Sequence, residues 1–177
     1  MRSATFALFA GIAYLSAGII GLIPAELSPP PPDAPPLRYS VLYGHMLGVF
    51  PVNVLHSIVH LAIGAWGISA WRADHHFGRG MGSPKLFARS IAIFYAVLAL
   101  LGLLPATNTL FGLLPIYGHD VWLHAVTAVI AGYFGWRTEN VVERREPDWT
   151  DRRQEVRPVQ VERRLGHADR RVPGSEV

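Results

Sequence analysis

The sequence predicts an all-α integral membrane protein, a four-helix bundle made of two tandem helical hairpins in the same orientation, followed by a disordered tail. Three observations carry that expectation: an uneven distribution of charge, four apolar runs of spanning length, and an internal repeat. The chain has 177 residues, half of them hydrophobic and 16% charged, against about a quarter charged in an ordinary soluble domain. Of the 29 Asp, Glu, Lys and Arg residues, 17 lie between Glu143 and Glu176, which leaves 12 for the first 142 positions. The chain therefore divides into a lipid-compatible part, residues 1–137, and a charged tail, residues 138–177. The net charge of +3 describes no single surface and carries no nucleic-acid inference. With no cysteine present, disulfides, thiol catalysis and cysteine-ligated zinc are excluded.

A helix needs about 20 largely apolar residues to cross the hydrocarbon core. The expected spans are about 4–23, 50–71, 87–104 (with an extension to Leu114 conceivable) and 121–136. Pro24 and Pro105 are placed to stop the first and third. Pro51 suits the opening turn of the second, and Asp120 is placed to cap the fourth. Residues 1–25 loosely resemble a cleaved signal peptide, but the repeat makes the first span a partner of the third. Arg72, Arg79, Lys85 and Arg89 lie between the second and third spans, Arg137 and the tail follow the fourth, and Arg2 precedes the first. The connections at 24–49 and 105–119 contain only Arg38. The positive-inside rule then places both termini in the cytoplasm.

The repeat is read from three matches in one order. Tyr14 stands seven residues before the run from Gly21 to Ala25, and Tyr95 stands seven before the run from Gly102 to Ala106. Tyr43-Gly44-His45 recurs as Tyr117-Gly118-His119. Leu55-His56 with Gly64 and Gly67 recurs as Leu123-His124 with Gly132 and Gly135. Each copy holds two spans, so the copies share an orientation and an axis along the membrane normal. Equivalent residues then lie at one depth, which sets His56 opposite His124.

Polar side chains within spans face the protein interior, and histidines there invite a functional reading. His56 and His60 are one helical turn apart, a spacing that can chelate an ion. His124 supplies a third ligand from the facing helix, with Asp120 or His119 as a further ligand or orienting group. Alternatively, His56 and His124 are the axial ligands of a haem, with Gly64 and Gly132 making room. The competing expectation is a structural polar network in which the histidines bond each other, Asn53, Asp120, Tyr14 or Tyr95. A proton relay or small transporter is the third reading, weakened because no acid lies deep in a span.

The glycine rows on all four spans read mainly as packing seams, with homo-oligomer contacts as another use. The run Pro29–Pro36 is expected to be extended and polyproline-like. His75 and His76 are expected to be solvated. The arginine pairs Arg144-Arg145, Arg152-Arg153, Arg163-Arg164 and Arg170-Arg171 alternate with acids, which predicts disorder and contact with anionic lipid headgroups.

Asn53-Val54-Leu55-His56-Ser57-Ile58-Val59-His60-Leu61-Ala62-Ile63-Gly64, followed by Asp120-Val121-Trp122-Leu123-His124, resembles the DUF4383 family of bacterial four-helix membrane proteins. The resemblance covers about residues 4–137 and excludes the tail. It implies a multi-pass protein of a bacterial inner membrane and supplies no reaction. No nucleophile or acid–base pair is legible, so the residues argue against an enzyme. They favour a structural or stress-related membrane protein, with metal or haem binding as the alternative.

Overall fold

In a computed structural model, residues 2–74 and 82–138 are described. The expectations for His75, His76 and the arginine pairs of the tail lie outside these residues. Among the described residues four helices are found: α1 (Ser3–Ile20), α2 (Val54–Asp74), α3 (Pro84–Leu103) and α4 (His119–Trp136). Three of them, α1 to α3, are long and apolar enough to cross a membrane, and they mark the chain as a membrane protein. The fourth falls short of that measure although it is as long as α1. The physical reason is local, because His119, Asp120 and His124 crowd its first two turns.

The helix ends correct several expectations. Helix α1 stops at Ile20, where the Gly21 N–H donates to the Ala17 carbonyl, and Pro24 opens a short 3₁₀ turn instead of ending the helix directly. Phe50, Pro51 and Val52 do not begin α2. They form strand β3 (Phe50–Val52), an edge strand where the missing proline N–H costs nothing. Asn53 starts α2 by accepting the His56 backbone N–H at 2.9 Å through Oδ1. Helix α3 starts early, at Pro84, with the Ser83 hydroxyl accepting the Leu86 N–H at 3.2 Å. It ends at Leu103, and residues 105–114 form turns rather than a helical extension. Asp120 does not cap α4. Gly118 holds that position at φ 65°, a left-handed conformation that glycine adopts without strain, and Asp120 lies buried inside the first turn.

The connection between α1 and α2 is also more ordered than its prolines suggest. It contains β1 (Leu27–Ser28) and β2 (Gly44–Met46), which with β3 make a three-stranded antiparallel sheet in the order β1-β2-β3. Ser28 pairs with His45, and His45 with Pro51. This sheet is bound to the second connection: the Arg38 and Tyr39 N–H groups donate to the Gly112 carbonyl at 2.9 and 3.1 Å. Asn53 Nδ2 bridges the Tyr39 and Leu113 carbonyls at 2.9 and 2.7 Å.

Helices α1 and α2 pack along their length, as do α3 and α4. Small residues permit the first contact. A Cβ on Gly64 would stand 2.6 Å from the Leu15 backbone nitrogen, and one on Gly11 would stand 2.8 Å from that of Ile68. In lipid, such close backbone approach supplies the van der Waals attraction that replaces a hydrophobic drive. At the end of the helices away from the sheet, Phe6 stacks on Phe134 at 5.2 Å and tilts against Phe87 at 6.2 Å. Phe87, Ile91 and Ala131 complete that core. The surface is inverted relative to a water-soluble protein. Trp122, Val126, Val129, Tyr133 and Trp136 of α4 are exposed, while its Asp120 and His124 are buried.

Candidate metal centre

The polar side chains converge where α2 and α4 begin, beside the sheet. Asn53 sets the first turn of α2, which carries His56, and His60 follows one turn later on the same buried face. The His56 and His60 rings are 4.5 Å apart. From α4, His124 brings its ring to 6.3 Å from that of His56. Asp120, one turn before His124, places Oδ2 at 3.5 Å from His124 Nε2. The offered ligand atoms of His56, Asp120 and His124 all lie within 4.8 Å of one another, and all three residues are buried.

Two aromatic rings close the cluster. Tyr95 stands 4.8 Å from His124, and Tyr14 stands 5.5 Å from His60. Tyr14 and Tyr95 stack on each other at 5.5 Å with 20° between planes. The carbonyls of Pro51 and Pro115 lie beside His56. Asn53 serves the loops and the helix start through its hydrogen bonds, and its side chain does not bond the histidine rings.

Four buried atoms here have no hydrogen-bond partner: His56 Nδ1, His60 Nδ1, Asp120 Oδ2 and His124 Nδ1. An orphaned buried polar group costs about 1–3 kcal/mol, and more if charged. Four such atoms in one cluster are therefore unusual unless something else satisfies them.

His119 is not among them. It is exposed and faces a cavity of about 410 Å³ together with His45 and Tyr117, outside the buried group. There Tyr117 meets Tyr43 hydroxyl to hydroxyl at 2.6 Å, and its hydroxyl lies 3.4 Å from His45 Nε2. Burial, reinforced by the Tyr43 hydrogen bond, pushes the Tyr117 hydroxyl above the usual tyrosine range. Burial likewise lowers the His45 pKa from its ordinary value.

Two cavities reach the cluster. One, of about 340 Å³, runs between α1 and α4 and touches His60, Asp120 and His124. The other, of about 170 Å³, lies between α2 and α3 and touches His56, His60 and His124. Of the two glycines expected to make room for a haem, Gly64 is packed against the backbone of α1, whereas Gly132 meets nothing closer than 3.8 Å. The donor set suits a bare ion: two imidazoles and one carboxylate are a familiar ligand set for Zn²⁺ and for non-haem Fe²⁺.

Sequence reasoning had no signal for the Pro51 and Pro115 carbonyls or for the cavities, because each depends on the fold of the connecting segments. Comparison with curated proteins and with solved structures finds no match. A family model, described as Domain of unknown function (DUF4383), matches residues 4–137. The chain belongs to this family.

Proposed function

We propose that the protein is a metal-binding membrane protein in which His56, Asp120 and His124 hold a divalent first-row transition ion inside a four-helix bundle. The observation that carries this reading is the cluster of orphaned buried atoms, three of whose residues offer ligand atoms within 4.8 Å of one another. Zinc held by nitrogen and oxygen at about 2.0–2.2 Å needs donors roughly 3.3 Å apart, so the side chains must close by no more than about 1.5 Å. Pro51 and Pro115, beside His56, are suited to orient that ring.

Support for α4 as a fourth span comes from its outward face. Beyond His119 at its first position, its exposed large residues are apolar, and its buried side carries Asp120 and His124, which lower its hydropathy. The hairpin duplication is supported by three pairs of repeat-equivalent residues that meet each other: Tyr14 with Tyr95, Tyr43 with Tyr117, and His56 with His124. Residues 138–177 then form a cytoplasmic tail, the N-terminus is also cytoplasmic, and the membrane is a bacterial inner membrane.

Metal analysis of full-length protein purified from its natural host tests the reading. About one ion per chain is expected, lost in His56→Ala and in His124→Ala and retained in His119→Ala. Stoichiometric metal surviving in His56→Ala would overturn it. Metal-free protein whose stability drops in both variants would instead favour a purely structural cluster.

A further inference from the structure

The cleft between α1 and α4 has a direction. At its sheet end lie Asp120, His124 and His60, and from there the wall runs past Ala13 and Ala10 to Phe6. Along α1, from Ala17 to Phe6, that path is about 16 Å long at the helical rise. Its rim includes Phe9, Leu123 and Ile130, which are exposed on the surface that faces lipid. The cleft is thus polar at one end, apolar along its length, and open sideways to the hydrocarbon. That is the shape of a site for a single-chain amphiphile, with its head at Asp120 and its tail toward Phe6.

The head group follows from charge, and this step rests on the metal reading above. His124 lines both cavities, Asp120 only the cleft and His56 only the opposite cavity. An ion held by all three is therefore reached from either side, and the cleft, about 340 Å³ against about 170 Å³, is the roomier approach. A divalent ion with one Asp carboxylate and two neutral imidazoles keeps one net positive charge. Leaving that charge unbalanced in a low-dielectric interior is expensive. A second carboxylate brings the centre to neutrality, whereas an alcohol does not. Without the ion, the cleft lining offers no Lys or Arg to hold the same carboxylate.

We propose that this cleft binds a long-chain carboxylate, whose head completes the metal coordination and whose chain lies along α1. Full-length protein in nanodiscs, loaded with Co²⁺ and checked for metal content, is titrated with dodecanoate and with dodecanol. The cobalt absorption bands report coordination. Dodecanoate is expected to shift the bands and to bind at least tenfold more tightly than dodecanol, with no binding to metal-free protein.

Ala13→Trp, on the exposed side of the cleft, is expected to weaken dodecanoate at least tenfold while metal content stays at the wild-type level; Ile130→Trp tests the same cleft from α4. Equal affinity for the alcohol, binding to the metal-free form, or dodecanoate affinity unchanged in both tryptophan variants would overturn the proposal and leave the metal reading standing. Failure of the wild-type protein to take up Co²⁺ would overturn both.

Discussion

The two ends of the helix layer solve the same problem in opposite ways. Away from the sheet, polar groups are few and paired: the Ser3 hydroxyl donates to the Phe134 carbonyl at 2.8 Å, and Arg89 Nε donates to the Gly135 carbonyl at 2.9 Å. Between them the rings of Phe6, Phe87 and Phe134 fill the interior. At the sheet end the interior is filled by His56, His60, Asp120 and His124, with an unpartnered atom on each. The first arrangement is closely packed and, among the described residues, leaves no buried side-chain polar atom without a partner. The second tolerates unsatisfied atoms at a cost, which is how functional sites differ from cores. Stability should therefore map to one end and ligand chemistry to the other.

The sharpest way to break this division is to damage each end and measure both properties. Phe87 is fully buried, against Phe6 and Trp66. Phe87→Ala should cost a few kcal/mol in unfolding free energy, by loss of van der Waals contacts and creation of a cavity. Metal content per folded molecule should not change. His56→Ala should do the reverse, abolishing metal binding. Reversible denaturation in detergent, paired with metal analysis of the folded fraction, reads both. A Phe87→Ala protein that is folded but metal-free would show that the ends are coupled.

A smaller effect sharpens the comparison between the two hairpins. Gly64 and Gly132 are equivalent in the repeat but are not equivalently packed. A Cβ on Gly64 would press on the backbone of α1, whereas one on Gly132 would meet nothing closer than 3.8 Å. Gly64→Ala should destabilise by about 1–3 kcal/mol through overpacking. Gly132→Ala should be neutral, or stabilise by up to about 1 kcal/mol from helix propensity. Equal losses at both positions would mean that α1–α2 and α3–α4 pack alike, against the geometry.

These contrasts also show what was legible before the fold was known. Apolar runs located all four helices to within a few residues, because a helix in lipid must satisfy its backbone internally and so announces itself by length. The three-stranded sheet was not legible. Its strands are two or three residues long, sit in a proline-rich connection, and pair across a separation such as Ser28 to His45. Asp120 was expected both as a cap and as a possible ligand or orienting group, because an acid at a helix start suits either use; Gly118 holds the cap position and Asp120 is buried in the first turn. The spacing of His56 and His60 placed them on one face, and the repeat set His56 opposite His124; it is these two, across two helices, whose ligand atoms lie near that of Asp120. His119 looked like a ligand by adjacency alone, and it points into the outer cavity.

Acid should separate the two histidine groups by readout. Metal binding requires neutral imidazoles, so metal content should fall as the pH is taken into the acid range. His45, outside the helices, behaves differently. Burial lowers its folded pKa, so the unfolded chain takes up a proton first as pH falls through the ordinary value. Its neutral form is accommodated above that pH. Stability is lost as pH falls from there toward the lowered folded value. His45 is only partly buried and lies beside the Tyr117 hydroxyl, so this loss should be the smallest effect considered. His45→Gln keeps a hydrogen-bonding side chain but cannot titrate. It should flatten the dependence of stability between pH 7 and pH 5 and leave the acid release of metal unchanged. If His45→Gln instead shifts the pH of metal release, the outer histidine is coupled to the buried centre and the two groups form one site.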